Sequence, residues 1–441
     1  MTEAPALEAS DTGVTEDTIT IGVALADLTA VRAAGISIPD TLTNEHLLAR
    51  WTNYFDAWNA AGGINGRQVK AMELHWNPLD PTTFDALCAA ATIDNELFAV
   101  VNGTGLSAVA QKCILDAGVP VLYGDVVAQE LLDTGLLVSL APPAEAIAPA
   151  GVRAWAESTD VPAGSKIGVL ASNTPLSHAA GAAAAEALTA AGFDPQVIET
   201  NSLAGDNAAT NEEGAAAVGT FLANDVKYAF VATPFTENRG FWTAAAGKLA
   251  YTMLDTASSQ CSAFGLSRSP GEANGALCAT AFGHPTNDKG EMIADTPFEA
   301  ECRSFWDEKF AAAMGGKSNP GVPSGASLTD STGKVLYSDY APLECTISNL
   351  LHEGLMNAGV NPTRDSFIEA IGNLGKQPFA IGSNGEGTLT PDKHYLADSV
   401  HTIRIQAADA TVAPDANGLY NGCAAPVNCG IVVSDWAPLD A

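Results

Sequence analysis

The hydrophobic pattern of residues 18–67 opens with a period of two and then switches to a helical period. Ile19, Ile21, Val23 and Leu25 alternate with smaller or polar residues, as a strand does, and the run spreads into a loop at Asp27. From Thr43 onward Leu47, Leu48, Trp51, Tyr54, Phe55 and Trp58 fall on one face of a helix. Thr43 is the expected N-cap, and Glu45 lies in the first turn, on the favourable side of the helix dipole. Gly62 and Gly63 predict the stop, because glycine takes the left-handed conformation past a helix end without strain. A second strand from Val69 to His75 completes a βαβ unit.

The rhythm continues along the chain. Further strands are expected near Phe98–Val101 and Val119–Leu122, with helices near Pro81–Asn95 and Ser107–Ala117. Strands separated by helices of this length predict a parallel, doubly wound sheet. A break is read at Ala141-Pro142-Pro143, after which the pattern restarts. Strands are expected at Lys166–Leu170, Gln196–Glu199, Tyr228–Ala232, Ser262–Phe264 and Leu277–Ala281. Helices are expected at Ser177–Ala191, Asn211–Ala223 and Asn238–Leu249. Later come helices at Phe298–Met314 and Tyr340–Ala358, a Gly/Pro/Ser loop from Gly315 to Gly325, and strands near Thr388 and Val400–Ile405. Two similar halves in series make a pair of open α/β lobes.

The "GVT-x-DTI" opening (Gly13 to Ile19), the "YF-x-x-x-NAAGGINGR" run (Tyr54 to Arg67) and the "GTLTPDKHYLADSV" stretch (Gly387 to Val400) carry a resemblance. The chain resembles type I periplasmic binding proteins of the branched-chain amino acid family, the solute receptors of ABC importers. The resemblance implies an α/β fold of two doubly wound parallel-sheet lobes joined by a multi-strand hinge. It places residues 18–140 plus 285–375 in lobe 1 and 141–284 plus 376–441 in lobe 2, with 1–17 a flexible N-terminus whose signal peptide has been removed.

Charge and cysteines narrow the setting. A formal net charge of −31 argues against a nucleic-acid partner, which needs clustered Lys and Arg. No run of about 18 uninterrupted apolar residues occurs, so no membrane span is expected. Eight cysteines without a Cys-x-x-Cys pair argue against a zinc ribbon, and no metal is expected. Their spacing suggests local bridges, Cys88 with Cys113, Cys261 with Cys278, Cys302 with Cys345 and Cys423 with Cys429, although order alone leaves the pairing open. The resemblance supports the first of these. Disulfides imply an oxidising compartment, periplasmic or extracellular, and the resemblance allows a lipid anchor on the precursor.

Candidate chemistry gathers at strand ends. Gly103-Thr104-Gly105-Leu106-Ser107-Ala108 formally matches a dinucleotide fingerprint, with Asp125 where an acidic ribose partner would sit. It follows the third strand of its unit rather than the first, so no cofactor is expected. The same glycines bring backbone N–H groups close to a ligand, and Ser107 at a helix start favours a carboxylate. Ligands of open α/β sheets bind outside the carboxyl ends of strands. By resemblance the ligand-contacting positions are Asp27, Leu28, Thr104, Gly105, Leu106, Ser107, Gly124 and Asp125 in lobe 1. In lobe 2 they are Pro175, Leu176, Phe235, Thr236, Leu266 and Ser267. Amino-acid binders of the family present a carboxylate from lobe 2, whereas these loops read TPL, PFT and LSR, which argues against a free amino acid.

No nucleophile elbow, zinc pair, Walker A loop or EF-hand loop occurs, so no enzyme is expected. The expected function is capture of a small organic molecule (amino acid, amide or small carboxylic acid) for ABC permease subunits. The alternative is a sensory ligand-binding module of the same fold.

Overall fold

A computed structural model describes residues 6–33, 43–78, 80, 82–103, 105–201, 207–234, 237–256, 261–266, 269–310, 328–329, 335–337, 341–409, 411, 413–416, 418–423 and 426–439. Thr104, Phe235, Thr236, Ser267 and the loop expected at 315–325 lie outside these residues.

Strands β1 (Thr18–Ala26), β2 (Gln68–Trp76), β3 (Ala99–Asn102), β4 (Val121–Tyr123) and β5 (Leu137–Ser139) form a fully parallel sheet in the order β2-β1-β3-β4-β5. Both faces of β1 are buried, Ile19, Ile21 and Val23 on one side and Ala24 on the other. Parallel sheets require this, because crossover helices cover both faces. The helices are α1 (Leu28–Ala33), α2 (Asn44–Ala60), α3 (Thr82–Ala89), α4 (Ala108–Asp116) and α5 (Gln129–Leu132). Helix α2 follows its sequence signals. Thr43 accepts from the His46 amide in a capping box, and Trp51 and Phe55 enter the core. Gly62 (φ +112°) and Gly63 (φ +76°) end it, their amides bonding the Asn59 and Trp58 carbonyls.

The second sheet begins with the same order. Strands β6 (Lys166–Ser172), β7 (Asp194–Thr200), β8 (Tyr228–Val231), β9 (Ala250–Leu254) and β10 (Leu277–Thr280) run parallel as β7-β6-β8-β9-β10. Helices α6 (Ala144–Ser158), α7 (Pro175–Ala190), α8 (Asn207–Ala223), α9 (Arg239–Ala245) and α10 (Ala263–Leu266) accompany them. The chain then forms β11 (Thr286–Asn287) and α11 (Pro297–Phe310), a short pair β12 (Leu328–Thr329) and β13 (Val335–Tyr337), and α12 (Pro342–Asn357) and α13 (Arg364–Gly372). After the hairpin of β14 (Gly375–Pro378) and β15 (Glu386–Leu389), β16 (Ser399–Gln406) joins the second sheet antiparallel to β10. Strands β17 (Cys429–Val432) and β18 (Ala437–Pro438) pair with β16, so this sheet is mixed rather than purely parallel. Helix α12 packs on α2 and its Leu350, Leu351 and Leu355 are buried in the same core.

Several elements differ from the sequence reading. The break at 141–143 is a helix start: Pro143 precedes α6, which tolerates Pro149 inside it. The strand expected at Ser262–Phe264 is replaced by α10, because Ser262 turns the chain, its carbonyl accepting from Leu266 and its hydroxyl from Gly265. The sheet position goes instead to β9, whose Tyr251 and Met253 are buried.

Residues 6–17, read as flexible, are tied down. Arg67 Nε donates to the Thr15 carbonyl (2.6 Å), and Nη2 donates to the Glu8 carbonyl (2.7 Å) and Asn361 Oδ1 (2.8 Å). Its Nη1 donates to the Val360 carbonyl. The Ser10 hydroxyl adds a bond to the Pro362 carbonyl (2.6 Å).

Chain segments run side by side between the sheets. The Leu396 and Ala397 amides donate to the Ser139 and Leu140 carbonyls, and the Ser383 and Gly283 amides pair with the Ala281 and Ile381 carbonyls. Phe282 and Phe379 fill the junction edge to face, 6.2 Å apart. This is the multi-strand hinge. The four disulfides join Cys88 to Cys113, Cys261 to Cys278, Cys302 to Cys345 and Cys423 to Cys429, the pairing that local spacing suggested. Among the described residues no helix is long and apolar enough to cross a membrane, and no cluster of His, Cys, Asp and Glu could hold a metal.

Candidate functional site

Both sheets share the strand order 2-1-3-4-5, so each has its topological switch point between its first and third strands. In open α/β sheets ligands bind at this point, outside the carboxyl ends of the strands, because the flanking helices leave to opposite faces. In the first sheet it is bordered by the loops after β1 and β3, and in the second by those after β6 and β8.

In the first lobe, the Asp27 amide donates to the Trp76 carbonyl (2.7 Å), while its carboxylate accepts from the Thr29 and Ala30 amides and caps α1. Leu28 is buried and held by Asn44, whose side chain also bonds the Ala26 carbonyl (2.9 Å). Gly105 (φ +82°) needs the freedom of glycine, and its amide donates to the Tyr123 hydroxyl (3.2 Å). Burial, reinforced by the Asp125 charge, pushes the Tyr123 phenol up, so the ring keeps its proton. Ser107 caps α4 by accepting from the Val109 amide (3.3 Å) and keeps its O–H as a donor. Gly124 packs on the Gly103 carbonyl, where any Cβ would collide. The Glu344 carboxylate beside Gly103 is paired with Arg50 at 3.2 Å.

The predicted residues divide by depth. Asp27, Gly105, Ser107, Pro175 and Leu176 retain exposed surface, whereas Leu28, Leu106, Gly124, Asp125 and Leu266 lie behind it. Asp125 is 0% exposed, accepts from the Val126 amide, and its charge helps raise the Tyr123 phenol.

In the second lobe, the Ser172 amide at the end of β6 donates to Ser177 Oγ (2.7 Å), and its hydroxyl meets Thr174 Oγ1 (3.1 Å). Pro175 opens α7. After β8, the Asn238 side chain clasps Thr233. Between these loops lies Glu237, 6% exposed, whose Oε2 has no hydrogen-bond partner among the described residues. Burial pushes its carboxyl up, the Ser172 hydroxyl partly opposes that, and Glu213 adds to the rise. The acid missing from the TPL, PFT and LSR loops thus stands one residue past PFT. Its signal was a glutamate between a strand end and Asn238, the residue before α9. Asp255, by contrast, is enclosed by the Cys261 amide and the Thr280 hydroxyl.

No protein-family model and no curated protein matches the chain. Solved structures match over nearly its whole length. A fatty acid ABC transporter substrate-binding protein from Thermomonospora curvata superposes with a TM-score of 0.65 at 15% identity, covering 97% of this chain and 94% of that one. A solute-binding protein of an ABC transporter from Rhodopseudomonas palustris BisB5, in complex with 3,4-dihydroxy benzoic acid, gives 0.62 at 12%, covering 96% and 98%. A branched chain amino acid ABC transporter protein from Thermus thermophilus with bound valine gives 0.61 at 13%, covering 96% of each. At these identities the likeness is one of fold, and the chain has the type I periplasmic-binding fold.

Proposed function

We propose that this protein is an extracytoplasmic solute-binding protein that closes its two lobes over a small organic molecule and presents it to the permease of an ABC importer. The observation that carries the reading is Glu237, a buried carboxylate at the switch point of the second sheet with one oxygen that has no partner among the described residues. An acceptor kept dry without a partner costs stability unless a ligand uses it. Opposite it in the fold's logic, the first lobe offers donors: the Ser107 hydroxyl and the amino end of α4. Donors on one lobe and an acid on the other suit a ligand carrying both a carboxylate or carbonyl and an amine or amide N–H. Amino acids and amides therefore lead, and Glu237 reverses the argument against the former. Two of the three named neighbours hold ligands of such size, valine and 3,4-dihydroxy benzoic acid, while the third is named for fatty acids.

Ligand bridging both lobes favours the closed state by its differential affinity for that state, with the crossing segments as hinge. The disulfides suit an oxidising compartment. No enzyme activity is part of this reading. A thermal-shift screen over amino acids, aliphatic amides, short carboxylic acids and aromatic acids tests it. A ligand at 100 times its Kd stabilises by about 2.7 kcal/mol. The reading fails if no compound raises the melting temperature and mass spectrometry of the denatured protein releases no small molecule.

A further inference from the structure

A cavity of about 240 Å³ lies between α2, α11 and α12, away from the switch-point crevice. The chain leaves β1 at the crevice, and Trp58 lies 14 residues beyond the first residue of α2, about 21 Å along its axis. Helix α12 likewise begins near the crevice, with Glu344 beside Gly103, and its cavity residue Ser348 lies one turn farther on. The cavity belongs to the outer face of the first lobe.

Its walls are unusually aromatic. Tyr54, Trp58, Phe298 and Phe305 line it, with Tyr54 stacked on Phe305 at a centroid distance of 4.3 Å. Trp58 is only partly buried, leaving indole surface to the opening. Two polar groups enter the lining without use. The Ser348 hydroxyl is 1% exposed and has no hydrogen-bond partner among the described residues, although a hydroxyl so deep is nearly always bonded. Glu301 is the one carboxylate of the lining; the lining's one basic side chain, His352, pairs with Glu353 (3.1 Å) and packs on Trp58, and Lys309, outside the lining, pairs with Glu308 and lies over the Phe305 ring. Burial, with Glu344 and Glu301 nearby, holds the Tyr54 phenol protonated, so it adds no second anion.

We propose that this cavity is a second ligand site, separate from the cleft, that takes a small single-ring or similarly compact amine as its cation. Aromatic rings and one acid recognise a cation with an apolar body, the rings through their negative faces and the acid through its charge. A carboxylate would meet Glu301, and the lining's one basic side chain, His352, is already paired with Glu353. The volume sets the size, since drug-sized ligands occupy roughly 300–1,000 Å³. The buried Ser348 hydroxyl supplies the specific hydrogen bond at the floor.

The test uses 2-phenylethylamine as probe and benzoate as its charge-reversed control, read by 19F NMR of protein labelled with 5-fluorotryptophan. Of the seven tryptophans, Trp58 lines the cavity and Trp76 lies beside Gly105 at the cleft. Their resonances are assigned from Trp58→Phe and Trp76→Phe. The expected result is a saturable shift of the Trp58 resonance with the amine and none with benzoate. Glu301→Gln, at an exposed position, should weaken the amine about two- to fivefold. Ser348→Ala should weaken it further, while Glu237→Gln leaves it unchanged, separating this site from the cleft. An unmoved Trp58 resonance at about 10 mM amine, a concentration that populates even weak sites, overturns the proposal. So does an equal shift with benzoate, or unchanged titration of both Glu301→Gln and Ser348→Ala.

Discussion

Arg67 closes the NAAGGINGR run, and replacing it should cost more stability than any surface arginine. Its side chain is buried, and the guanidinium joins two distant segments to the turn before β2: Glu8 and Thr15 of the lead-in, and Val360 and Asn361 between α12 and α13. Arg67→Met keeps the apolar stem but removes every donor. Three backbone carbonyls then lose their partner, at about 1–3 kcal/mol each, less whatever water recovers at the rim. Hydrogen bonds from a charged donor are worth about 1.5–3 kcal/mol each, so with water recovering part of the loss we expect about 3–5 kcal/mol in all. In urea denaturation with a slope near 3 kcal/mol/M, the midpoint of the first lobe's transition should fall by about 1 to 1.7 M. Arg67→Lys should recover less than half, because one ammonium cannot span four acceptors that a planar fork reaches. The clamp sits at the amino ends of β1 and β2, opposite the cleft, so ligand affinity should stay within about twofold. A midpoint shift below about 0.3 M, or full recovery by lysine, refutes the clamp.

Three further outcomes follow from the site and the bridges. Ser107→Ala should lose about 1 kcal/mol of stability as a missing cap. It should also lose about 1.5–3 kcal/mol of binding to a charged ligand group; calorimetry showing affinity within twofold alongside a lower melting point would reduce the loop to a turn. Glu237 must be ionised to hold an ammonium, so affinity for such a ligand should fall as pH drops through its raised pKa, by up to about tenfold per unit, and Glu237→Gln should flatten that profile. The same raised pKa has the opposite sign for the unliganded fold: stability is fully present below the ordinary carboxyl value and declines as pH rises through the folded value. Thiol titration of the denatured, unreduced protein should give near zero, and opening Cys88–Cys113, 25 residues apart, should cost on the order of 3 kcal/mol.

Local signals decided the parts that need no partner. Helix α2 was readable from end to end because its apolar period, its Thr43 cap and its Gly-Gly stop all lie within one stretch of chain. The run of β1 and the α/β rhythm were readable for the same reason, and short separations made the disulfide pairing a matter of neighbours. Elements lacking a local signature escaped: β5 has three residues, α6 begins among prolines that also mark breaks, and β9 carries one short alternation.

The tertiary structure alone decided what depends on distant segments meeting. Arg67 was part of a recognisable motif, yet its role needed Glu8 and Val360 brought to it from residues 59 and 293 positions away. Strand β16 had the pattern of any strand, and only the hinge crossing set it antiparallel in the second sheet. The sequence pattern did not single out Glu237, and it became a candidate anchor because β6 and β8 bring Ser172 against it and bury it. Periodicity reports which face a residue takes; whether a polar group there is dry and unpaired is set by the elements that pack around it.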